Sequence, residues 1–267
     1  WMGLADRQAA DHAAQDAMAA SVDLLPMRGR IVSGEEGRTG THSPLDSGCD
    51  VGTGQGPELD VEINAIDGAS LVAEGKSGAM SVAALAPRGS LWRPGPAVYL
   101  NKLVVDRSVA EAIGPDALDA PPGWTLAAVA RAKGKEIRDL VVFILDRPRH
   151  QQLIAEVRKA GARVALRHGG DIGGAMMAAD PNVAIDLLMG VGGAAEGLMA
   201  ACAVKALGGA IMARVAPQSE AEQRACREQG VDLTRILTKD DLVMGPEVFF
   251  SATGITDGWL LGGVNFQ

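Results

Sequence analysis

Leu59-Asp60-Val61-Glu62-Ile63-Asn64-Ala65-Ile66-Asp67-Gly68-Ala69-Ser70 is the stretch from which the rest of the chain is best read. Apolar and acidic residues alternate from Leu59 to Ile63, the period-two pattern of a strand. Asp67-Gly68 then ends the run in a tight turn, because both residues supply turn backbone cheaply. The strand therefore carries polar side chains, Asn64 and Asp67, to its own end.

Outward from this strand the first half is β-rich and lacks regular helix interleaving. Ala5–Ala20 is an Ala-rich helix carrying Asp6, Asp11 and Asp16. Arg30-Ile31-Val32-Ser33 reads as a short strand ended by Gly34-Glu35-Glu36-Gly37, and Arg38–Pro57 as a mobile loop of small polar residues, Gly and Pro. Further strands are expected at Met80–Ala86 and Tyr99–Val105. Beyond the Pro- and Gly-rich linker Gly114–Gly123 the pattern changes. Strands at Leu140–Leu145, Arg163–Leu166, Val183–Leu188, Ala210–Val215 and Val248–Ser251 mostly alternate with helices at Gln151–Ala160, Ile172–Ala179, Ala195–Leu207 and Glu220–Gln229. Alternation of this kind implies a parallel or mostly parallel sheet with helices on its faces. The fold class is thus α/β, an α+β half over residues 1–110 followed by an α/β half over 111–267, with the boundary near 106–124.

The composition narrows the partners. The 267 residues are 47% hydrophobic and 22% charged, as in soluble globular proteins, and 25 Lys and Arg against 33 Asp and Glu leave a net charge of −8. No long basic cluster favours nucleic acid or an anionic membrane. The run Leu187–Val204 is broken by Glu196 and is too interrupted to span a bilayer. Three widely spaced cysteines, Cys49, Cys202 and Cys226, argue against a disulfide framework or a zinc site and suit the cytoplasm.

Several segments carry chemistry. Glu35 and Asp67 sit at strand ends beside Gly, where carboxylates converge readily on a hard cation such as Mg²⁺ or Mn²⁺; singly, Glu35, Glu36 and Asp67 also read as solvated turn residues. Arg147-Pro148-Arg149-His150 and Arg167-His168-Gly169-Gly170-Asp171 follow successive strands, the place where open α/β sheets bind ligands, and arginines there suit phosphate. A solvated rim with Asp171 as a helix N-cap is the plainer account. Gly190-Val191-Gly192-Gly193-Ala194-Ala195-Glu196-Gly197 places glycines between a strand and a helix, so its backbone N–H groups can approach a phosphate. As a dinucleotide fingerprint it lacks the last Gly and the downstream acid. Glu196 is either a partner for the helix dipole or a ligand. The four histidines show no metal-ligand spacing, and no nucleophile elbow is present.

Taken together the segments resemble the class II fructose-1,6-bisphosphatases, bacterial members of the lithium-sensitive, metal-dependent sugar-phosphatase fold. The carrying motifs are Asp11, Ile31-Val32-Ser33-Gly34-Glu35, Val51-Gly52-Thr53-Gly54-Gln55-Gly56, Asp67-Gly68, Tyr99-Leu100-Asn101-Lys102-Leu103, Arg147-Pro148-Arg149-His150, Gly192-Gly193-Ala194-Ala195-Glu196-Gly197 and Phe250-Ser251-Ala252-Thr253-Gly254-Ile255-Thr256. The resemblance implies a layered αβαβα fold and hydrolysis of a sugar phosphomonoester with Mg²⁺ or Mn²⁺ in a homo-oligomer, a dimer or tetramer. It implies metal ligands at Asp11, Glu35, Asn64, Asp67 and Glu196, catalytic roles for Glu35, Asp67 and Ser70, and substrate binding by Asp67, Gly68, Ala69, Tyr99, Arg147, Pro148, Arg149, Gly169, Gly170, Asp171 and Gly193. The stretch Asn64–Ser70 itself departs from the family's Asp-Pro-Ile-Asp-Gly-Thr. Asn64 replaces a ligand Asp, Ala69 replaces a Thr whose hydroxyl helps position water, Gly169 replaces an acid, and Gly37 stands where many members have a second acid. The chain is also shorter than the family at both ends. A catalytically silent relative that binds a phosphorylated sugar or a protein partner is the second expectation, and a dinucleotide enzyme the third.

Overall fold

The alternation around Leu59 does form a strand, Glu58–Asp67, and it lies at the centre of a five-stranded sheet. The chain is described as a computed structural model covering residues 1–36 and 42–265. It divides into two units, residues 1–93 with 243–267 and residues 94–242. The first contains α1 (Arg7–Val22), β1 (Arg28–Ser33), β2 (Asp50–Val51), β3 (Glu58–Asp67), α2 (Ala69–Ala73) and β4 (Met80–Pro87). The second contains β5 (Tyr99–Val105), α3 (Pro122–Lys133), β6 (Val141–Leu145), α4 (Gln151–Lys159), β7 (Arg163–Arg167), α5 (Ile172–Ala179), β8 (Leu187–Gly193), α6 (Ala194–Leu207), β9 (Ala210–Val215), α7 (Glu220–Glu228), β10 (Leu237–Thr238) and α8 (Lys239–Leu242). The strand β11 (Phe249–Gly254) returns to the first unit, where it pairs antiparallel with β4.

In the first unit the sheet order is β11-β4-β3-β1-β2, with β1 and β3 parallel and the other pairs antiparallel. Ala19 and Val22 of α1 pack with Ile31, Val51, Val61 and Ile63, which buries one face of β3. The acidic side chains of β3 are buried too, and backbone donors meet them. Asp60 accepts the N–H groups of Gly89 at 2.8 Å and Leu91 at 3.1 Å, and Glu62 accepts that of Ser33 at 3.1 Å. Such bonds offset the cost of taking a carboxylate out of water. The stretch expected as a mobile loop from Arg38 to Pro57 is anchored from residue 42 onward. There β2 pairs with β1, and the Gly52 N–H donates to Asp23 at 3.2 Å. Gly37 and residues 38–41 lie outside the described residues.

The second unit differs from the expectation in two ways. Its sheet, ordered β10-β9-β5-β8-β6-β7, is mixed rather than parallel or mostly parallel. Pairing of β6 with β7 and with β8 is parallel, but β5 is inserted antiparallel between β8 and β9, and β10 pairs antiparallel with β9. The division of the chain also falls at residues 93/94 and 242/243 rather than near 106–124. Both differences have one cause. β5 precedes the Pro- and Gly-rich linker yet supplies the middle of the second sheet, and β11 follows the last α/β alternation yet closes the first. Local pattern reports neither partner choice.

The sheet of the second unit is covered on both faces. Leu103, Val105, Val142, Ile144 and Leu187 meet Leu126 and Val129 of α3 and Ile154 and Val157 of α4. Across the sheet, α5 and α6 approach closely through small residues. A Cβ on Gly174 would run into the Phe143 ring, and one on Gly197 would come within 2.7 Å of Leu100. At one rim Lys133 is clamped by two buried carboxylates, with Nζ 2.5 Å from Asp106 and 3.0 Å from Asp186. Asp186 also accepts from Lys135 and the Val141 N–H, and Asp106 from Ser108. Burial works against the charged forms, but these hydrogen bonds hold both carboxyls below their ordinary value and the Lys133 ammonium above its own. The sign follows. The carboxylate contributions are present above pH 3.8 and lost as pH falls below it, and the lysine contribution is present below 10.5 and lost above it. Substituting Lys133→Met leaves Asp106 buried without a cation, while Asp186 keeps Lys135, and should cost about 3 kcal/mol at neutral pH. Chemical denaturation measures this, and a loss under about 1 kcal/mol would show that the charges are solvated.

Candidate active site

The carboxyl ends of β6 and β7 and the end of β8 enclose a cleft of ≈ 290 Å³ in the second unit. It gathers Tyr99, Arg147, Arg149, Gly169, Gly170, Asp171, Gly193 and Glu196, residues that are scattered over almost a hundred positions of sequence. Pro148 opens the single 3₁₀ turn Pro148–His150 at the end of β6. Its fixed φ suits a first helical position, where no N–H is needed, and the turn presents Arg147 and Arg149 on either side of it.

Each arginine is held by backbone carbonyls. Arg147 donates from Nη1 to Asp146 O at 3.0 Å and from Nη2 to Gly169 O at 2.9 Å, tying the end of β6 to the turn after β7. Arg149 donates from Nε at 3.1 Å and Nη2 at 2.8 Å to Val191 O, and its guanidinium lies 5.3 Å from the centre of the Tyr99 ring. Bonding to a neutral carbonyl and stacking on a ring leave the charge uncompensated, so both guanidiniums remain attractive to an anion. Arg149 Nη1 makes no hydrogen bond to the described residues.

Bonded to residues that line the cleft are two groups that the sequence motifs contain but to which they assign no site role. Lys102, only 1% exposed, places Nζ 2.6 Å from Asp171 Oδ2 and 3.3 Å from Gly193 O. His150 is buried, and its Nε2 accepts the Val191 N–H at 2.8 Å. The proton must then sit on Nδ1, which donates to Leu145 O at 2.7 Å. Burial pushes the His150 pKa down, outweighing the help of that carbonyl. A further ligature comes from Glu222 of α7, which accepts the N–H groups of Val98 at 2.9 Å and Tyr99 at 3.0 Å and so fixes the start of β5. A charged residue within the otherwise largely apolar strand Tyr99–Val105 is a local signal that could have pointed to Lys102.

The glycines expected between a strand and a helix lie inside the strand instead. β8 runs to Gly193, its residues Gly190, Gly192 and Gly193 pair with Lys102, Leu100 and Tyr99 of β5, and α6 begins at Ala194. Steric need explains them. A Cβ on Gly192 would collide with Asp171 Oδ2, and one on Gly193 with the Glu196 carboxylate, which folds back over it. Glu196 thus lies in the first turn of α6, half-buried against the cleft.

The remaining acidic candidates belong to the first unit, around the end of β3. Asp11, Glu35, Asn64 and Asp67 are all buried. Glu35 Oε1 accepts the Ala65 N–H at 2.7 Å, and Arg7 Nε lies 3.6 Å from Asp11. Gly68 takes φ +89°, a left-handed turn that starts α2. Ala69 packs among Ala10, Ile66 and Val72, whereas Ser70 beside it is half-buried. Among the described residues, no three His, Cys, Asp or Glu side chains gather as a metal cage. The donor chemistry nevertheless fits a hard cation: every candidate offers oxygen, and the buried Asn64 Oδ1 has no hydrogen-bond partner among the described residues.

The family model described as bacterial fructose-1,6-bisphosphatase, glpX-encoded, matches residues 1–267. A D-fructose 1,6-bisphosphatase class 2/sedoheptulose 1,7-bisphosphatase of Synechococcus sp. (strain JA-3-3Ab) is 37% identical over 291 residues, spanning 100% of this chain and 82% of the relative. The fructose-1,6-bisphosphatase class 2 of Haemophilus influenzae is 36% identical over 278 residues, spanning 99% and 82%. The chain belongs to the bacterial, glpX-encoded fructose-1,6-bisphosphatase family.

Proposed function

We propose that this chain hydrolyses a phosphomonoester of a phosphorylated ketose, the substrate class printed in its relatives' names. The observation that carries the reading is the convergence of Arg147, Arg149 and Tyr99 with Asp171 and Glu196 in one cleft. Two guanidiniums anchored on carbonyls bind a phosphate by charge-assisted hydrogen bonds. Asp171 and the backbone of Gly169, Gly170 and Gly193 offer acceptors to sugar hydroxyls. Such a site holds the ligand in place, and positioning together with charge neutralisation supplies most of the catalysis in phosphoryl transfer.

The family is metal-dependent, and Mg²⁺ or Mn²⁺ suits the donors. Asp11, Glu35, Asn64 and Asp67 would hold it in the first unit, and Glu196 offers a further hard oxygen in the second. When bound, such an ion neutralises phosphate charge and activates water. Glu35 and Asp67 carry the negative charge for that task. Ser70 supplies the hydroxyl next to Ala69, where the apolar cluster takes up the side chain. We read the protein as a cytoplasmic homo-oligomer, a dimer or tetramer. Two observations are compatible with that setting: no disulfide joins Cys49, Cys202 and Cys226, and no helix among the described residues is long and apolar enough to cross a membrane.

Release of inorganic phosphate from fructose 1,6-bisphosphate with Mn²⁺ tests the reading. Glu35→Gln should abolish turnover, whereas Arg149→Ala should raise KM by about tenfold or more, the loss of a charge-assisted contact. Wild-type protein that releases no more phosphate than the Glu35→Gln variant would sink the proposal. The altered turn makes a separate prediction. Asn64→Asp with Ala69→Thr restores a charge and a hydroxyl and should raise kcat by about 10²-fold; an unchanged kcat would show that Ser70 and the remaining ligands already suffice.

A further inference from the structure

Beyond Leu188, β8 has no strand among the described residues on the side away from β5, because its pairing with β6 stops at Phe143↔Leu188. An open strand edge leaves N–H and C=O groups to be satisfied by something else. Here the turn after β6 does so. The Val191 N–H goes to His150 Nε2, and the Val191 carbonyl receives both Nε and Nη2 of Arg149. Consecutive side chains thus grip the two sides of one peptide residue, in place of a neighbouring strand. The fit is close. Gly190 adopts φ +128° in mid-strand, and a Cβ there would lie 2.9 Å from His150 Nε2.

Arg149 has two long-range attachments, the Val191 carbonyl and the Tyr99 ring, and the first is only as fixed as Val191 itself. We propose that His150 is a positioning residue for anion binding: by accepting the Val191 N–H it fixes the carbonyl on which the Arg149 guanidinium is anchored. The inference deepens the reading of the cleft as a sugar-phosphate site and rests on it. His150 touches neither the ligand nor the reacting atoms.

Protonation gives the inference its distinctive signature. An imidazolium has two donors and no acceptor, so it cannot take the Val191 N–H. The charged groups that face the ring are Arg147 and Arg149 of its own turn and Asp171 at the head of α5, itself paired with Lys102 of β5. Phe143 and Leu145 of β6 and Leu188 and Met189 of β8 surround the ring with apolar side chains, and the Leu145 carbonyl accepts its Nδ1 proton. Burial among them pushes the ring's pKa down from its ordinary value, and the Leu145 carbonyl offsets part of this. Acidification past that lowered value should therefore loosen the Arg149 anchor.

The test compares wild-type protein with His150→Leu, His150→Gln and Arg149→Ala, each checked for folding by circular dichroism. His150→Leu should raise KM for fructose 1,6-bisphosphate about tenfold, one hydrogen bond's worth, while kcat changes less than about twofold. His150→Gln offers an amide oxygen that does not titrate, and its KM should stay within about threefold of wild type. Sulfate is the probe for the pH dependence, since its charge is constant over the histidine range of about pH 5 to 8. Wild-type sulfate affinity should fall on the acid side more steeply than that of His150→Gln. An unchanged KM in His150→Leu, alongside a raised KM in Arg149→Ala, would overturn the positioning role and leave the cleft reading standing. Identical acid limbs in wild type and His150→Gln would overturn it too. An unchanged KM in Arg149→Ala would overturn the cleft reading, and the positioning role with it.

Discussion

The cleft of the second unit is built over a buried ammonium. Lys102 points from the middle of the sheet into a region where neither water nor a helix end neutralises it, and its compensation is Asp171 at 2.6 Å. Burying two charges is expensive, and a paired geometry only roughly repays it. The pair is therefore a poor source of stability but an effective constraint. It joins β5 to the head of α5, and through the Gly193 carbonyl it also holds the end of β8. Remove the ammonium and a carboxylate is left buried and unpaired beside the cleft. The glycine at 192 is the steric counterpart of this pair, since any side chain there would occupy the position of the Asp171 carboxylate.

Against that constraint it becomes clear which parts of the structure were legible in advance. Strands such as β3, β4, β5 and β9, and the helices α4, α5 and α6, followed from periodicity, because alternation and apolar stripes survive wherever side chains are present. β8 was placed too early, over Val183–Leu188, for the complementary reason. Gly190, Gly192 and Gly193 contribute no side chains to an alternation, so a strand that ends in glycines looks like a loop. The arginine turn after β6 and Asp171 after β7 were readable as strand-end residues. The roles of Lys102 and His150 were not, since they depend on β5 lying next to β8 and on β6 ending short of it. Those are facts of strand order, which is set by long-range pairing and leaves no local trace.

The first unit raises a different physical issue, the density of buried acid. Asp11, Glu35, Asp60, Glu62 and Asp67 are each at most 6% exposed, around one small sheet. Asp60 and Glu62 are engaged by backbone N–H groups of the turn after β4 and of Ser33, and the Arg88 and Arg93 guanidiniums lie 3.7 and 3.9 Å from Asp60. Glu35 also receives a backbone N–H from Ala65, so its role is divided between bracing the strand end and offering oxygen.

In that setting an amide at position 64 has two opposed consequences. A carboxylate there would add one more negative charge to a crowd of like charges, which raises the cost of folding without metal and increases the attraction for a cation once folded. Asn64 offers an oxygen without that charge. It lowers the repulsion that the metal-free unit must bear, and it lowers cation affinity by the same electrostatic term with the opposite sign. Its Oδ1, buried without a hydrogen-bond partner among the described residues, retains the cost of a desolvated acceptor. A buried acceptor of this kind is satisfied by a bound ion as well as by a hydrogen bond. An amide at position 64 therefore weakens the electrostatic pull of the neighbouring buried acids on a cation, while its unsatisfied oxygen remains an acceptor that a cation would satisfy.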